Sequence, residues 1–313
     1  MSTRLGVGLV GFGVAGRQHA AALERLPDAG IVSVLEEVSA VDTGDHRRAG
    51  SWRELLDDPD VGLVALCVPP GGRAQLAVEA LEAGKAVLLE KPPAVSVEEI
   101  DGVADAARRT GLPVGVMLQH RMRLPTAALA ATWSAPSVTA VLEVSRFRPS
   151  AHYRRAGWRS DPAAALGGIS AHLGVHYLDL ACQLLGRPES VRLTPPRKVA
   201  AGIDTRVTGV VTFLSGATLA FTVTAESMVR TERLQILGPD GGFNITDGTV
   251  MTQIGDTEQT WPTTPTAELR TEVYREMVEA VASGRPPARC HLEGARAVTE
   301  ILSSVAAAAA VVV

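Results

Sequence analysis

Residues 166–179 read LGGISAHLGVHYLD, a stretch in which helical spacing puts His172, His176 and Asp179 on one face. Two imidazoles four residues apart can bind zinc. A zinc site needs a further ligand, however, and no Cys or Glu cluster accompanies Asp179, so no metal is expected. Packing of one ring is a second reading. Proton transfer suits the pair better, because imidazole titrates near working pH and both of its nitrogens exchange protons. An amine candidate comes from an imbalance: the chain holds 27 arginines but three lysines, Lys85, Lys91 and Lys198. Where nearly every cation is arginine, a lysine is expected at a place that needs a titratable amine, since its pKa shifts on burial and that of arginine effectively does not. Lys91 lies in Glu90-Lys91-Pro92, at the end of the apolar run AVLLE (86–90). An ammonium there would stabilise negative charge on an oxygen whose proton the histidine takes. His172 can hydrogen-bond but cannot act as a carboxylate, so His176 is expected to keep a pKa no higher than that of a carboxylate-paired imidazole.

These groups need elements to position them. The chain opens with an apolar, strand-like run at 5–10, then Gly11-Phe12-Gly13-Val14-Ala15-Gly16, then a helical pattern. Strand, G-x-G-x-x-G and helix in that order form a dinucleotide-binding turn. Gly11 permits the tight turn, Gly13 lets backbone approach a pyrophosphate, and Gly16 allows close helix–strand packing, with the helix N-terminus facing the phosphates. For the adenosine ribose there are two candidates: Glu36, 20 residues after Gly16, and Asp42, 26 residues after it. Either carboxylate repels a 2′-phosphate and accepts from a free 2′-hydroxyl, so NAD is favoured, with NADP still open through Arg47 and Arg48. Strand and helix signals then alternate: strand 61–68, helix 72–84, strand 86–90, helix 96–111 with a Ser96/Glu99 capping box, and strand 112–118. This pattern predicts an α/β doubly wound parallel sheet over 1–121, whose ligands sit beyond the strand carboxyl ends. Cys67, Val68, Pro69, Pro70, Glu90, Lys91, Gln119 and Arg121 are expected to ring that crevice.

From about 122 the pattern changes. Residues 138–147, 206–213, 217–225 and 232–238 alternate like strands, with turns at Leu214–Ala217 and in GPDGGF (238–243). Residues 166–186 are expected to interrupt them as one helix leaning over the first domain's crevice, and helices at 266–283 and 292–309 close the chain. The second domain, 122–313, is thus expected to be an α/β domain on an open, mostly antiparallel sheet, its last helices packing back on the first domain. A sheet face without helices of its own predicts a homodimer or homotetramer.

Composition narrows the classes further. The 313 residues are 46% hydrophobic with net charge −4 and no long basic block, which argues against nucleic acid as a partner. The widely spaced Cys67, Cys182 and Cys290 read as free thiols of a cytoplasmic protein, Cys67 and Cys182 as small core residues. The apolar tail VAAAAAVVV is much shorter than the ~20 residues a membrane span needs. Arg123, Arg154, Arg155 and Arg159 fall near the predicted pocket segments, as do His120 and His152, while Tyr177 is expected to pack.

GFGVAG, then CVPP, then AGKAVLLEKP, then GGISAHLGVHYLD: in that order these motifs resemble the glucose–fructose oxidoreductase / inositol dehydrogenase / MocA (Gfo/Idh/MocA) family, over essentially the whole chain. The resemblance implies an NAD(P)-dependent enzyme moving hydride between nicotinamide and a hydroxyl or carbonyl of a sugar, nucleotide-sugar, cyclitol or similar polyol. It implies Lys91 as the active-site lysine and His176 as the acid–base histidine. Trp158 and Arg159 match a Trp-Arg pair near cofactor and substrate, so Lys91, Arg121, Trp158, Arg159, His172 and His176 are the expected substrate contacts. The sequence departs from the family pattern at His172, where Asp is usual, and at Pro69-Pro70-Gly71-Gly72-Arg73, where P-N-x-x-H is usual. It also departs between Glu36 and Trp52, which is short for the usual second helix. Rival readings are an imine or tetrapyrrole reductase on the same scaffold, a non-catalytic NAD(P)-binding regulator, and an oxidoreductase that keeps its cofactor between two sugar substrates.

Overall fold

The computed structural model describes residues 4–131, 133, 135–154, 157–200 and 202–311. The chain divides into two units. The first comprises residues up to Ala94, Glu98–Gln119 and Pro265–Glu293; the second comprises Val95–Val97, His120–Thr264 and the chain from Gly294 onward.

In the first unit, strands β1 (Leu5–Val10), β2 (Ala29–Leu35), β3 (Leu63–Leu66), β4 (Ala86–Leu89) and β5 (Val114–Val116) form a parallel sheet in the order β2-β1-β3-β4-β5. Strands β3 and β4 are buried at every position, as expected where helices cover both faces. The crossovers are α1 (Val14–Leu23), α2 (Trp52–Asp57), α3 (Arg73–Glu82) and α4 (Val97–Thr110). The short stretch before Trp52 forms no helix. Instead Val34 N–H donates to the Arg47 carbonyl (2.8 Å) and Ala49 N–H to the Val34 carbonyl (2.9 Å), which lays residues 47–49 parallel to β2. Helix α9 (Thr266–Ser283) returns to this unit, packs on α1 and buries Leu269, Val273, Tyr274 and Met277. The segment behind it is tied to β5 by Val116 N–H on the Cys290 carbonyl (2.7 Å).

The second unit is built on a mixed, mostly antiparallel sheet. Its strands are β6 (Thr139–Ser145), β7 (Pro188–Leu193), β8 (Arg197–Ala200), β9 (Ile203–Phe213), β10 (Thr218–Thr224), β11 (Thr231–Gly238), β12 (Gly241–Thr246), β13 (Thr249–Ile254) and β14 (Thr257–Trp261). They run in the order β14-β13-β12-β11-β6-β10-β9-β7, with β8 paired to β9; β6 and β10 are the parallel neighbours. Short helices α5 (Thr126–Ala130), α6 (Ser150–Arg154) and α7 (Pro162–Ala165) precede α8 (Val175–Leu185), and α10 (Arg296–Ala310) ends the described chain. Helices α8 and α10 cover one sheet face, which buries Leu142, Val144, Phe221 and Val223.

One expectation fails here. Residues 166–186 are not a single helix. Leu166 (φ 52°) and Gly167 (φ 109°) are left-handed, residues Ser170–Gly174 form a π-helical turn, and regular α-helix starts at Val175. The apolar run hides the break, because a π turn changes the hydrogen-bond partner and not the hydrophobic pattern.

Candidate functional site

In the first unit the geometry starts from the glycine loop. Gly11 sits at φ 86°, which only glycine adopts without strain. A Cβ on Gly16 would lie 2.2 Å from the Gly11 carbonyl oxygen, so that position is closed to any side chain. A Cβ on Gly13 would meet nothing within 4 Å: this glycine keeps open space where a ligand's phosphates would approach. Phe12 is buried, while Val14 at the start of α1 is 72% exposed and Ala15 half-buried on the same rim.

Glu36 follows β2 directly and reaches across to this loop. Its Oε2 accepts from Phe12 N–H (2.6 Å) and its Oε1 from Val38 N–H (2.9 Å). A carboxylate oriented by two amides retains lone pairs for a diol. Asp42 is elsewhere: it is exposed and caps its own turn by accepting from Gly44 N–H (2.9 Å). The two nearby arginines are engaged. Arg48 donates to the carbonyls of Glu36 and Val38 (both 2.9 Å), and Arg47 pairs with Asp58. The glycine loop and Glu36 therefore fit the adenosine half of a dinucleotide with a free ribose 2′-hydroxyl.

Beyond the carboxyl ends of β3 and β4 lies a buried polar cluster. Glu90 Oε1 accepts from His19 Nε2 (3.1 Å), whose Nδ1 faces the Tyr274 hydroxyl (2.7 Å), and Glu90 Oε2 accepts from Lys91 N–H (2.9 Å). Burial alone would push the Glu90 carboxyl up. The hydrogen bond and charge of His19, with Lys91 and Arg73 beside it, outweigh burial and hold it at about 2. Lys91 is joined to Pro92 by a cis peptide bond. Cys67 is half-buried rather than a full core residue, and desolvation raises its thiol well above the usual range, which does not suit a nucleophile. Val68 and Pro69 follow Cys67 on that loop, and Gln119, 2% exposed, closes the unit after β5.

In the second unit Asp204, on β9, sets the start of the histidine segment. Its carboxylate accepts from Gly168 N–H (2.6 Å), Ser170 N–H (2.9 Å) and Ser170 Oγ (2.8 Å). Burial raises its pKa, and these donors oppose the rise. His176 stacks on His120, ring centroids 4.4 Å apart and planes at 21°. His172 lies among His152, Tyr153 and Trp158, at 5.9–6.0 Å between ring centroids. Arg159 covers the Trp158 ring at 4.7 Å, a cation–π distance.

Arg121 and Asp179 are held together and away from solvent. Both are 1% exposed as side chains, and Arg121 Nε and Nη2 donate to the two Asp179 oxygens at 2.8 and 2.7 Å. The expected substrate contact is thus a bidentate buried pair, and the acid expected to share a face with the histidines has become its anchor. Tyr177 also has a partner: its hydroxyl donates to the buried Glu232 (3.1 Å), and burial first, then Glu232, pushes its pKa up. Arg155 lies outside the described residues.

Sequence reasoning assigned no site role to His19, Asp204, Glu232 or Tyr274, and it marked Arg73 only as a departure from P-N-x-x-H. His19 lies three residues after Gly16 in the helical pattern, and that spacing was its one local signal. Glu232 opens a strand-like run and Asp204 lies just before one, and both gain their meaning from pairing across 34 to 55 residues of chain.

Comparison with known proteins agrees with this geometry. The model described as "Oxidoreductase family, NAD-binding Rossmann fold" matches residues 5–118, and the "GFO/IDH/MocA C-terminal domain" matches 138–244. These cover well over half of the chain, which therefore belongs to the Gfo/Idh/MocA oxidoreductase family. Levoglucosan dehydrogenase of Pseudarthrobacter phenanthrenivorans is 28% identical over 211 residues, 60% of this chain and 53% of that protein, so the chain matches about half its length. D-xylose 1-dehydrogenase (NADP(+)) 2 of Haloferax volcanii is 28% identical over 307 residues, 90% of this chain and 89% of that one. Among solved structures, levoglucosan dehydrogenase in complex with NADH and levoglucosan superposes with TM-score 0.83 at 20% identity, covering 98% of this chain and 97% of that one. An oxidoreductase domain protein from Kribbella flavida gives 0.82 at 22%, with the same coverage. At such identities the likeness is one of fold.

Proposed function

We propose that the protein is an NAD-dependent dehydrogenase or reductase acting on a hydroxyl or carbonyl of a sugar, nucleotide-sugar, cyclitol or similar polyol. The observation that carries this reading is the glycine loop facing the oriented Glu36 carboxylate, on a chain whose relatives include named sugar dehydrogenases. Nicotinamide, when bound, supplies hydride exchange with the substrate carbon. Gly13 would admit the dinucleotide's phosphates, Gly11 and Gly16 would hold the tight turn and its close packing, Glu36 would take the adenosine ribose, and the loops after β3 and β4 would flank the remainder. Glu36 selects against a 2′-phosphate, and Arg47 and Arg48 are committed to protein partners.

Hydride loss from a C–H requires the hydroxyl proton to leave as well. In this reading His176 takes that proton and Lys91 stabilises the negative charge on the oxygen. His172, Trp158 and Arg159 contribute to the substrate's surroundings. Arg121 leaves the substrate set and becomes a positioning residue, since its guanidinium holds Asp179 one helical turn beyond His176. The sheet face opposite α8 and α10, which exposes Val210 and Leu237, would serve self-association as a dimer or tetramer.

The test is a parallel titration with NADH and NADPH, followed by a substrate panel of levoglucosan, D-xylose, scyllo-inositol and a UDP-hexuronate. NADH should bind more tightly, and Lys91→Met or His176→Asn should lower kcat by about a hundredfold or more while leaving NADH binding intact. Loss of neither cofactor binding nor turnover in both variants would overturn the assigned roles. Failure to bind either cofactor would overturn the reading.

A further inference from the structure

Arg73 is the first residue of α3 and is 3% exposed. Both facts are unfavourable to it. A cation at a helix N-terminus opposes the helix dipole, and a buried charge loses its hydration. Burial lowers its pKa to about 10, against the pull of the Glu90 carboxylate, so it remains a cation at neutral pH. Its partners explain why it is there. Nε donates to the Val68 carbonyl (3.1 Å), and Nη2 donates to the same oxygen. Nη1 donates to the Glu90 carbonyl (2.5 Å) and to the Pro92 carbonyl. One planar fork thus joins the loop after β3 to the loop after β4, and on the latter it grips the carbonyls immediately before and after Lys91. The Lys91 backbone N–H donates to Glu90 Oε2, on the carboxylate whose other oxygen His19 holds.

We propose that Arg73 is the positioning residue for Lys91: it fixes the backbone on both sides of the lysine and couples that backbone to the loop carrying Val68 and Pro69. The inference rests on the role given to Lys91 above. Neither lysine nor histidine can replace the fork. An ammonium is a point donor, and an imidazole offers two nitrogens on a short stem, whereas the planar guanidinium serves three carbonyls at once. The other two lysines are built differently: Lys85 Nζ donates to the Asp58 and Val61 carbonyls, and Lys198 Nζ to those of Ala309 and Val311. Neither contacts this fork, so both are internal controls.

The experiment uses the full chain labelled with ε-carbon-13 lysine, in which three lysines give three resonances. In Arg73→Gln the Lys91 signal should shift and broaden, while those of Lys85 and Lys198 stay in place. An unmoved Lys91 signal in a folded Arg73→Gln protein overturns the proposal. If Arg73→Gln does not fold, Arg73→Lys, with its extra resonance identified by difference, is read by the same rule. A second readout is the kcat cycle with Lys91→Met. Arg73→Gln should lower kcat about thirtyfold in the wild-type background and less than threefold in Lys91→Met, because residues acting as one unit are non-additive. Equal losses in both backgrounds would mean that Arg73 serves the fold and not the lysine. Failure of the proposed enzymatic role would show instead as absent NADH binding by the unaltered protein, and the lysine spectra would still decide the contact.

Discussion

Two glycine-led segments invite comparison, Gly11–Gly16 before α1 and Gly167–Gly168 before the π turn. In sequence they look alike: glycines, then a helix with a histidine on it. In structure they do opposite things. At Gly13 an added Cβ would meet nothing within 4 Å, whereas at Gly168 it would lie 2.0 Å from the Asp204 carbonyl oxygen. At Gly13 the first segment leaves open space, which the proposed dinucleotide would use; at Gly168 the second is filled by the protein's own β9. Glycine therefore reports close approach of something, and only the fold says whether that something is a ligand or a strand.

The largest effects should separate the two. Gly168→Ala puts a methyl into backbone that cannot yield, and about 4 kcal/mol of stability should be lost, read as a lowered urea midpoint. Gly13→Ala should leave the urea midpoint within ~0.5 kcal/mol and weaken NADH binding about tenfold or more. If Gly13→Ala unfolds the protein or Gly168→Ala does not, the contrast collapses.

Each unit also holds a buried carboxylate, Glu90 in the first and Asp204 in the second, and the two are shifted in opposite directions. Glu90 is held at about 2, so its contribution is fully present above the unfolded value near 4.5 and is lost as pH falls toward 2. Asp204 is raised by burial, so the slope it adds is the reverse: its contribution is present below the ordinary value and declines as pH rises through the folded one. The expected outcome is that Glu90→Gln removes roughly 3 kcal/mol of pH-dependent stability between about pH 4.5 and 2. Urea midpoints of both proteins across that range check it. Parallel curves would mean that His19, Lys91 and Arg73 do not act on Glu90 as their distances indicate.

What the sequence disclosed follows the same division. The parallel sheet of the first unit and its crossovers were legible to within a few residues, because parallel strands are continuous apolar runs, whereas α9, expected in the second domain, belongs to this unit through its packing on α1. The short connection after Glu36 was visible as well, although its use as an edge beside β2 was not. In the second unit the sheet was half legible. Strands β12 to β14 alternate too weakly to stand out, and the π turn is invisible because it changes hydrogen-bond partners without changing residue types. Among candidate site residues, the glycines, Glu36 and His176 stood out by local spacing and Lys91 by the scarcity of lysine, and the roles proposed for them above await test in their variants. Arg121 read as a pocket residue because it follows β5, and only its long-range pairing with Asp179 showed that it is sealed. Arg73 was noticed as a departure from P-N-x-x-H but had no role until its three carbonyls were seen.

The smallest predicted effects concern the two carboxylates that spacing alone left unresolved. Glu36 receives the amides of Phe12 and Val38, so it is already fixed at the glycine loop before any ligand arrives. Glu36→Gln keeps an acceptor but removes the charge that repels a 2′-phosphate. The ratio of NADPH to NADH dissociation constants should therefore fall on the order of tenfold, about 1.4 kcal/mol. Asp42 is exposed and accepts one amide from its own turn, so Asp42→Ala should change stability by less than ~0.5 kcal/mol and NADH affinity by less than about twofold. Paired titrations of the two variants decide between them. If Asp42→Ala carries the loss of cofactor preference and Glu36→Gln does not, then the ribose is read from the loop and not from the end of β2. Arg48, which binds the carbonyls of that loop, would then be the residue holding the selective group in place.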